Sequence, residues 1–160
     1  MNTFLRTITL GFVFALGAIS VASAADQPDP AIGTWNLNLS KSKFHGDTAP
    51  RSMTRTYSAG AAGTDMKVTG VAADGTPIMQ STTLTYDGKD CALTGGTTYD
   101  TLSLTKVNGS TVKSVQKKDG QVVGHTTRTI SAKGKVLTLA TSLKTPKGGT
   151  VHDLAVFDKQ

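Results

Sequence analysis

The stretch Thr101-Leu102-Ser103-Leu104-Thr105-Lys106-Val107-Asn108-Gly109-Ser110-Thr111-Val112-Lys113-Ser114-Val115 reads as two strands and the turn between them. Leu102 and Leu104 share one parity and alternate with Ser103 and Thr105, as a half-buried strand requires. Asn108-Gly109 is a dipeptide that tight hairpins favour, because their central residues need positive φ. Similar pairs recur on both sides: Asp74-Gly75, Asp87-Gly88 and Gly95-Gly96 before it, Asp119-Gly120, Lys133-Gly134 and Gly148-Gly149 after it. They are spaced 8 to 15 residues apart, so each interval holds one strand and little else. Parallel neighbours would need longer crossovers, so the strands must run antiparallel in a meander.

The composition of the 160-residue chain agrees, with 26 Thr, 17 Gly and no Glu. Glu is a good helix former, whereas Thr loses rotamer freedom in a helix and suits a pleated sheet. Ten strands are predicted, at about 33–39, 52–59, 65–72, 76–86, 89–94, 100–107, 110–118, 121–131, 135–143 and 150–158. In the first, Trp35, Leu37 and Leu39 alternate with Asn36 and Asn38. A meander of about eight to ten strands must deal with its two edges, and closing into an up-and-down barrel removes them. An open sandwich would carry the same turn signals. The one long link, Ser40 to Arg51, is polar and could form a flap over a barrel mouth.

Residues 1–24 have the form of a secretory signal: Arg6 is followed by the apolar run Leu10 to Val21 and the small-residue site Ala22-Ser23-Ala24. The run is short of the roughly 20 apolar residues that span a bilayer. Cleavage near Ala24 would leave a flexible leader, 25–32, and a single barrel domain, 33–160, in the periplasm or outside the cell, with no integral membrane segment. That mature chain carries 16 basic residues against 11 Asp, a net charge of +5. Its Lys residues are scattered over turns and strand ends without interleaved aromatics, which does not suit nucleic acid. Cys91 has no partner for an intramolecular disulfide and is expected to be buried. A monomer is expected.

Gly33-Thr34-Trp35, after a short leader and opening the first strand of a Thr-rich meander, resembles the Gly-x-Trp signature of the calycins, the superfamily of lipocalins and fatty-acid-binding proteins. Continued through Asn36-Leu37-Asn38 and Ser40-Lys41-Ser42-Lys43-Phe44, and with Tyr86-Asp87-Gly88-Lys89-Asp90 further on, the chain is similar to small secreted bacterial proteins of lipocalin-like type, mostly of unassigned function. The resemblance implies a barrel whose closed end is formed by Gly33 and Trp35, the Trp lying beneath a basic residue from a late strand. Arg128 and Lys159 are both candidates for that residue.

Arg55 shares parity with Met53 and Tyr57, and Arg128 with Val122, Thr126 and Ile130, so both guanidinium groups are expected to point to the inner face. Each then needs an anion or an aromatic face. With no Glu, Asp153 is the main internal carboxylate, on the parity of Val151, Ala155 and Phe157. Three roles stay open for such an Arg: lying over Trp35, pairing with Asp153, or binding a ligand carboxylate bidentately. Tyr57, Tyr86 and Tyr99 could line a pocket.

His45, His125 and His152 lack metal-ligand spacing, and no cofactor is implied. No nucleophile elbow, phosphate loop or close carboxylate pair is present, which argues for a non-enzyme. The leading expectation is therefore a small apolar or amphipathic ligand, anionic where an Arg binds its carboxylate, held inside the barrel by Arg55, Tyr57, Tyr86 and Arg128. Without an interior cavity of roughly 300 Å³ or more, ligand storage is out. The alternative is an envelope interaction or inhibitor module with a filled interior, acting through loops such as Ser40 to Arg51.

Overall fold

The computed structural model describes residues 28–145 and 147–160. The signal-like stretch 1–24 and the first part of the leader lie outside the described residues. The ten strands are β1 (Gly33–Leu37), β2 (Ser52–Gly60), β3 (Gly63–Val71), β4 (Pro77–Leu84), β5 (Asp87–Ala92), β6 (Thr101–Lys106), β7 (Thr111–Lys118), β8 (Gln121–Ile130), β9 (Val136–Lys144) and β10 (Thr150–Lys159). Among the described residues the only helical element is a single 3₁₀ turn, Leu39–Lys41, capped by the Asn38 side chain. The strands form one antiparallel sheet in the order β4-β3-β2-β1-β10-β9-β8-β7-β6-β5, curled into a nearly closed barrel.

Alternation sets the inside. In β3, Thr64, Met66 and Val68 are buried while Asp65 and Lys67 are exposed. In β8, Gly124, Arg128 and Ile130 are buried while His125 and Thr129 are exposed. One end is sealed by Trp35, Val68, Leu137 and Phe157, all without solvent access. Trp35 donates from Nε1 to the Ala31 carbonyl at 2.6 Å. The basic residue over its ring is Lys159, whose Nζ is 5.0 Å from the ring centroid, and not Arg128. Gly33 has a physical reason here: its φ is +130°, and a Cβ at that position would lie 2.7 Å from Cε of Lys159. The Lys159 stem thus occupies the space that a side chain at 33 would need.

Three expectations are corrected. The described part of the leader, 28–32, is not loose: Asp29 and Ala31 are buried, and the Ile32 and Ala31 amides both bond back to Asp29. Nor is the Ser40 to Arg51 link a lid in its first half. It continues the line of β1 along β10, through Asn38 N–H to the Val156 carbonyl and the antiparallel bridge between Lys43 and Leu154. β1 is only five residues long, so this segment repairs the wall beyond its end. Asp87-Gly88, read as a hairpin turn, lies instead within β5 beside a register shift. β4 and β5 form no ladder; the isolated bridge at this seam joins Ser81 on β4 to Thr94, two residues beyond the end of β5.

That single bridge is the seam of the barrel, and Gly95 makes it passable. Its φ is +76°, and a Cβ there would lie 2.0 Å from the Met79 carbonyl oxygen on β4. Gly95→Ala should destabilise the fold by about 1–3 kcal/mol through forced backbone strain. Gly109→Ala, where a Cβ meets nothing within 4 Å, should stay within about 0.5 kcal/mol. Urea unfolding midpoints of the two variants make the comparison.

Candidate interior site

β8 delivers Arg128 to the interior between Val112 on β7 and Leu139 on β9, its cross-strand neighbours. The side chain is buried, and its counter-ion is Asp29, not Asp153. Nη2 reaches both Asp29 carboxylate oxygens, at 2.9 and 3.1 Å, while Nη1 donates to the Tyr86 hydroxyl at 3.0 Å. Tyr86 in turn donates to Asp29. The rings of Tyr57 and Tyr86 each lie 5.4 Å from the guanidinium carbon.

Tyr86 stands between β4 and β5 with φ +56°, a left-handed conformation that costs a bulky residue roughly 1–2 kcal/mol. The turn of the chain at the seam sends its ring inward to the ion pair, where two hydrogen bonds offset that cost. Burial, with the Asp29 carboxylate behind it and against the pull of Arg128, pushes the Tyr86 hydroxyl above the ordinary tyrosine range. It therefore remains a donor at neutral pH. For Asp29, burial alone would raise the pKa; the facing Arg128 charge, with the Tyr86 hydroxyl and the Ala31 amide, outweighs it and holds the carboxyl below its ordinary 3.8.

Arg55 has no such partner. It enters from β2 between Trp35 and Val68 and lies over Phe157 at 5.6 Å from the ring centroid. Nη1 approaches the Met66 sulfur at 3.4 Å, and Nε is buried without a hydrogen-bond partner. Among the described residues no carboxylate pairs with it. The Asp residues are engaged elsewhere: Asp87, Asp90, Asp100 and Asp158 pair with surface Lys, and Asp153 accepts from both the His45 amide and ring, each at 2.8 Å.

Arg55, Tyr57 and Arg128 line one interior cavity of about 90 Å³, walled by Leu84, Leu102, Leu104, Val112 and Leu139. Tyr99 joins them, but Tyr86 does not, being held on the Asp29 pair. The volume falls well below the roughly 300 Å³ of a usual small-molecule pocket, so this cavity is not the roomy interior expected, and it cannot store a ligand of usual size. A polar arc completes the lining. Gln116 on β7 donates to Thr126 on β8, whose hydroxyl shares a hydrogen with Thr141 on β9 at 2.9 Å.

Asp29 and Gln116 were not singled out from sequence. Asp29 sits among prolines in a stretch with no strand pattern; the shortage of carboxylates was its only signal. Gln116 shares the parity of Val112 and is flanked by Lys117, which hides one buried polar residue in a polar strand. His125 and His152 are exposed, and Cys91 is buried beside Thr85. Among the described residues no group of three His, Cys, Asp or Glu could hold a metal, and no helix is long and apolar enough to cross a membrane. No protein-family model matches the chain, and no curated protein matches it.

Removing one member of a buried pair leaves the other charged and unpaired, a loss of about 3–5 kcal/mol. Asp29→Asn should therefore cost that much at pH 7, measured by chemical denaturation. Because the folded pKa of Asp29 lies below 3.8, its contribution is complete above 3.8 and disappears as pH falls through the folded value. The difference between wild type and variant should accordingly shrink on acidification below that point; a constant difference would assign the loss to packing instead.

Proposed function

We propose that this protein is an exported, calycin-like barrel that binds a small anionic amphipathic molecule in its interior and carries out no catalysis. One observation carries the reading: of two inward arginines that line the cavity, each with a buried Nε that meets no acceptor, Arg128 is neutralised by Asp29, while Arg55 has no carboxylate partner among the described residues. Arg55 is half-buried, and a partly desolvated guanidinium without an anion is costly to keep; a carboxylate from outside would satisfy it. Gly33, Trp35 and Lys159, arranged at the closed end, support the calycin-like assignment.

The size of the ligand follows from the volume. An apolar cavity of about 150 Å³ takes benzene, with its six non-hydrogen atoms, so 90 Å³ limits the ligand to about four, the size of acetate. Lipid-sized cargo does not fit. The same compactness favours a second reading, in which the barrel is a rigid support and the exposed part of the link, about Gly46 to Ala49, contacts another envelope protein.

Acetate is a suitable probe. It should move the NMR signals of Leu102, Leu104 and Leu139 at millimolar concentration, and ethanol should not match it. Arg55→Met, which keeps the length and the apolar stem, should weaken acetate roughly 10- to 100-fold, the worth of a charge-assisted hydrogen bond. Equal binding by the variant, or no response of the interior in wild type, would overturn interior anion binding and leave the loop reading. Export has its own check: N-terminal sequencing of protein recovered from the envelope should begin at Ala25.

A further inference from the structure

We propose that the sealed end of the barrel docks on an anionic phospholipid bilayer, with two hairpin tips seated among the headgroups. The lysines concerned are dispersed in sequence, and the meander collects them. Lys106 and Val107 open the tip between β6 and β7, and Ala132, Lys133 and Lys135 lie in the tip between β8 and β9. The Ile130 amide donates to the Ser110 carbonyl, which sets the two tips side by side. The Lys159 amide donates to the Lys135 carbonyl, which adds the end of β10. Lys159 lies over Trp35, so all of these residues border the sealed end.

The four lysines are open to a partner. Lys106, Lys133 and Lys135 are exposed and Lys159 is half-buried. Among the described residues neither an Asp nor the carboxylate of Gln160 pairs with any of them. Two carboxylates at this end are already committed, Asp29 to Arg128 and Asp87 to Lys89. Asp65 forms no ion pair, but it stands on β3, three strands from β10. The opposite end is mixed in sign: its tips carry Asp74 and Asp119, and its Lys117 and Lys118 are held by Asp90 and Asp100. An anionic surface therefore draws the sealed end toward itself.

Apolar tips favour a bilayer over a soluble polyanion. Val107, next to Lys106, is 53% exposed, and Ala132, next to Lys133, is exposed as well. The tip between β2 and β3, at the same end, adds Ala61 and Ala62. A soluble polyanion rewards only the charge. A headgroup layer also takes up apolar side chains that sit level with the lysines.

Each lysine at an anionic bilayer strengthens partition roughly fivefold at low salt. The protein should therefore sediment with vesicles of phosphatidylglycerol and phosphatidylcholine in equal parts, and not with phosphatidylcholine alone. Added salt should release it. Lys133→Gln/Lys135→Gln should weaken partition roughly 20- to 30-fold. Lys113→Gln/Lys144→Gln, the same change of charge on the barrel wall and toward the other end, should weaken it by less than about threefold. All four substituted side chains are exposed, and equal urea midpoints would verify that both variants fold. Three results would overturn the proposal: no vesicle binding by wild type, equal losses in the two double variants, or retention on immobilised polyphosphate without vesicle binding. None of them bears on Arg55, whose acetate response is read at the interior leucines.

Discussion

The buried ion pair between Arg128 and Asp29 fixes more of this molecule than any other polar contact. It ties the middle of β8 to a segment that precedes the first strand, and Tyr86, at the break between β4 and β5, closes the triangle. Three parts of the chain far apart in sequence are therefore positioned by one guanidinium. Such an arrangement is a poor source of net stability compared with apolar packing, since desolvating both charges offsets most of their attraction. Its effect is on specificity: a chain that folds without Asp29 in place leaves a bare cation in the core.

The lack of Glu gives the pair its significance. Eleven Asp must serve the whole chain, and those on the surface, such as Asp87, Asp90, Asp100 and Asp158, sit in exposed pairs with Lys that contribute little individually. Among the described residues only Asp29 is a buried carboxylate. The difference between the two arginines is thus a matter of supply, and Arg55 is the one left facing Met66 and Phe157 with a soft sulfur and a ring instead of a carboxylate.

How far the sequence could be read depended on whether a feature is local. Turn dipeptides and alternating Leu, Val and Met placed all ten strands within a few residues, because a hairpin's register is settled by its own turn. Features decided by tertiary contact were hidden. Nothing near Asp29 shows that a Pro-flanked leader residue will be drawn into a core. The left-handed φ of Tyr86 follows from the seam, and Asp87-Gly88 looks the same whether it turns a hairpin or kinks a strand. The inward parity of Arg55 and Arg128 was legible, yet their partners were not. Thr on both faces blurred which side was wet, and cavity volume is a small remainder between an enclosed space and the side chains that fill it.

The sheet order places its two free edges in mid-sequence and joins the ends of the chain to each other, β1 against β10. Eight of the nine ladders are hairpins between consecutive strands and cost little loop entropy to form. The ninth brings together residues about 120 positions apart, as in the hydrogen bond from Asn38 to Asp158, and its closure is the expensive one. Folding should consequently divide into two quick local meanders, β1 to β4 and β5 to β10, and one slow docking of chain ends. Until β10 is complete, the Trp35 end has no Phe157 to pack on, so a truncated chain stays open and pliable.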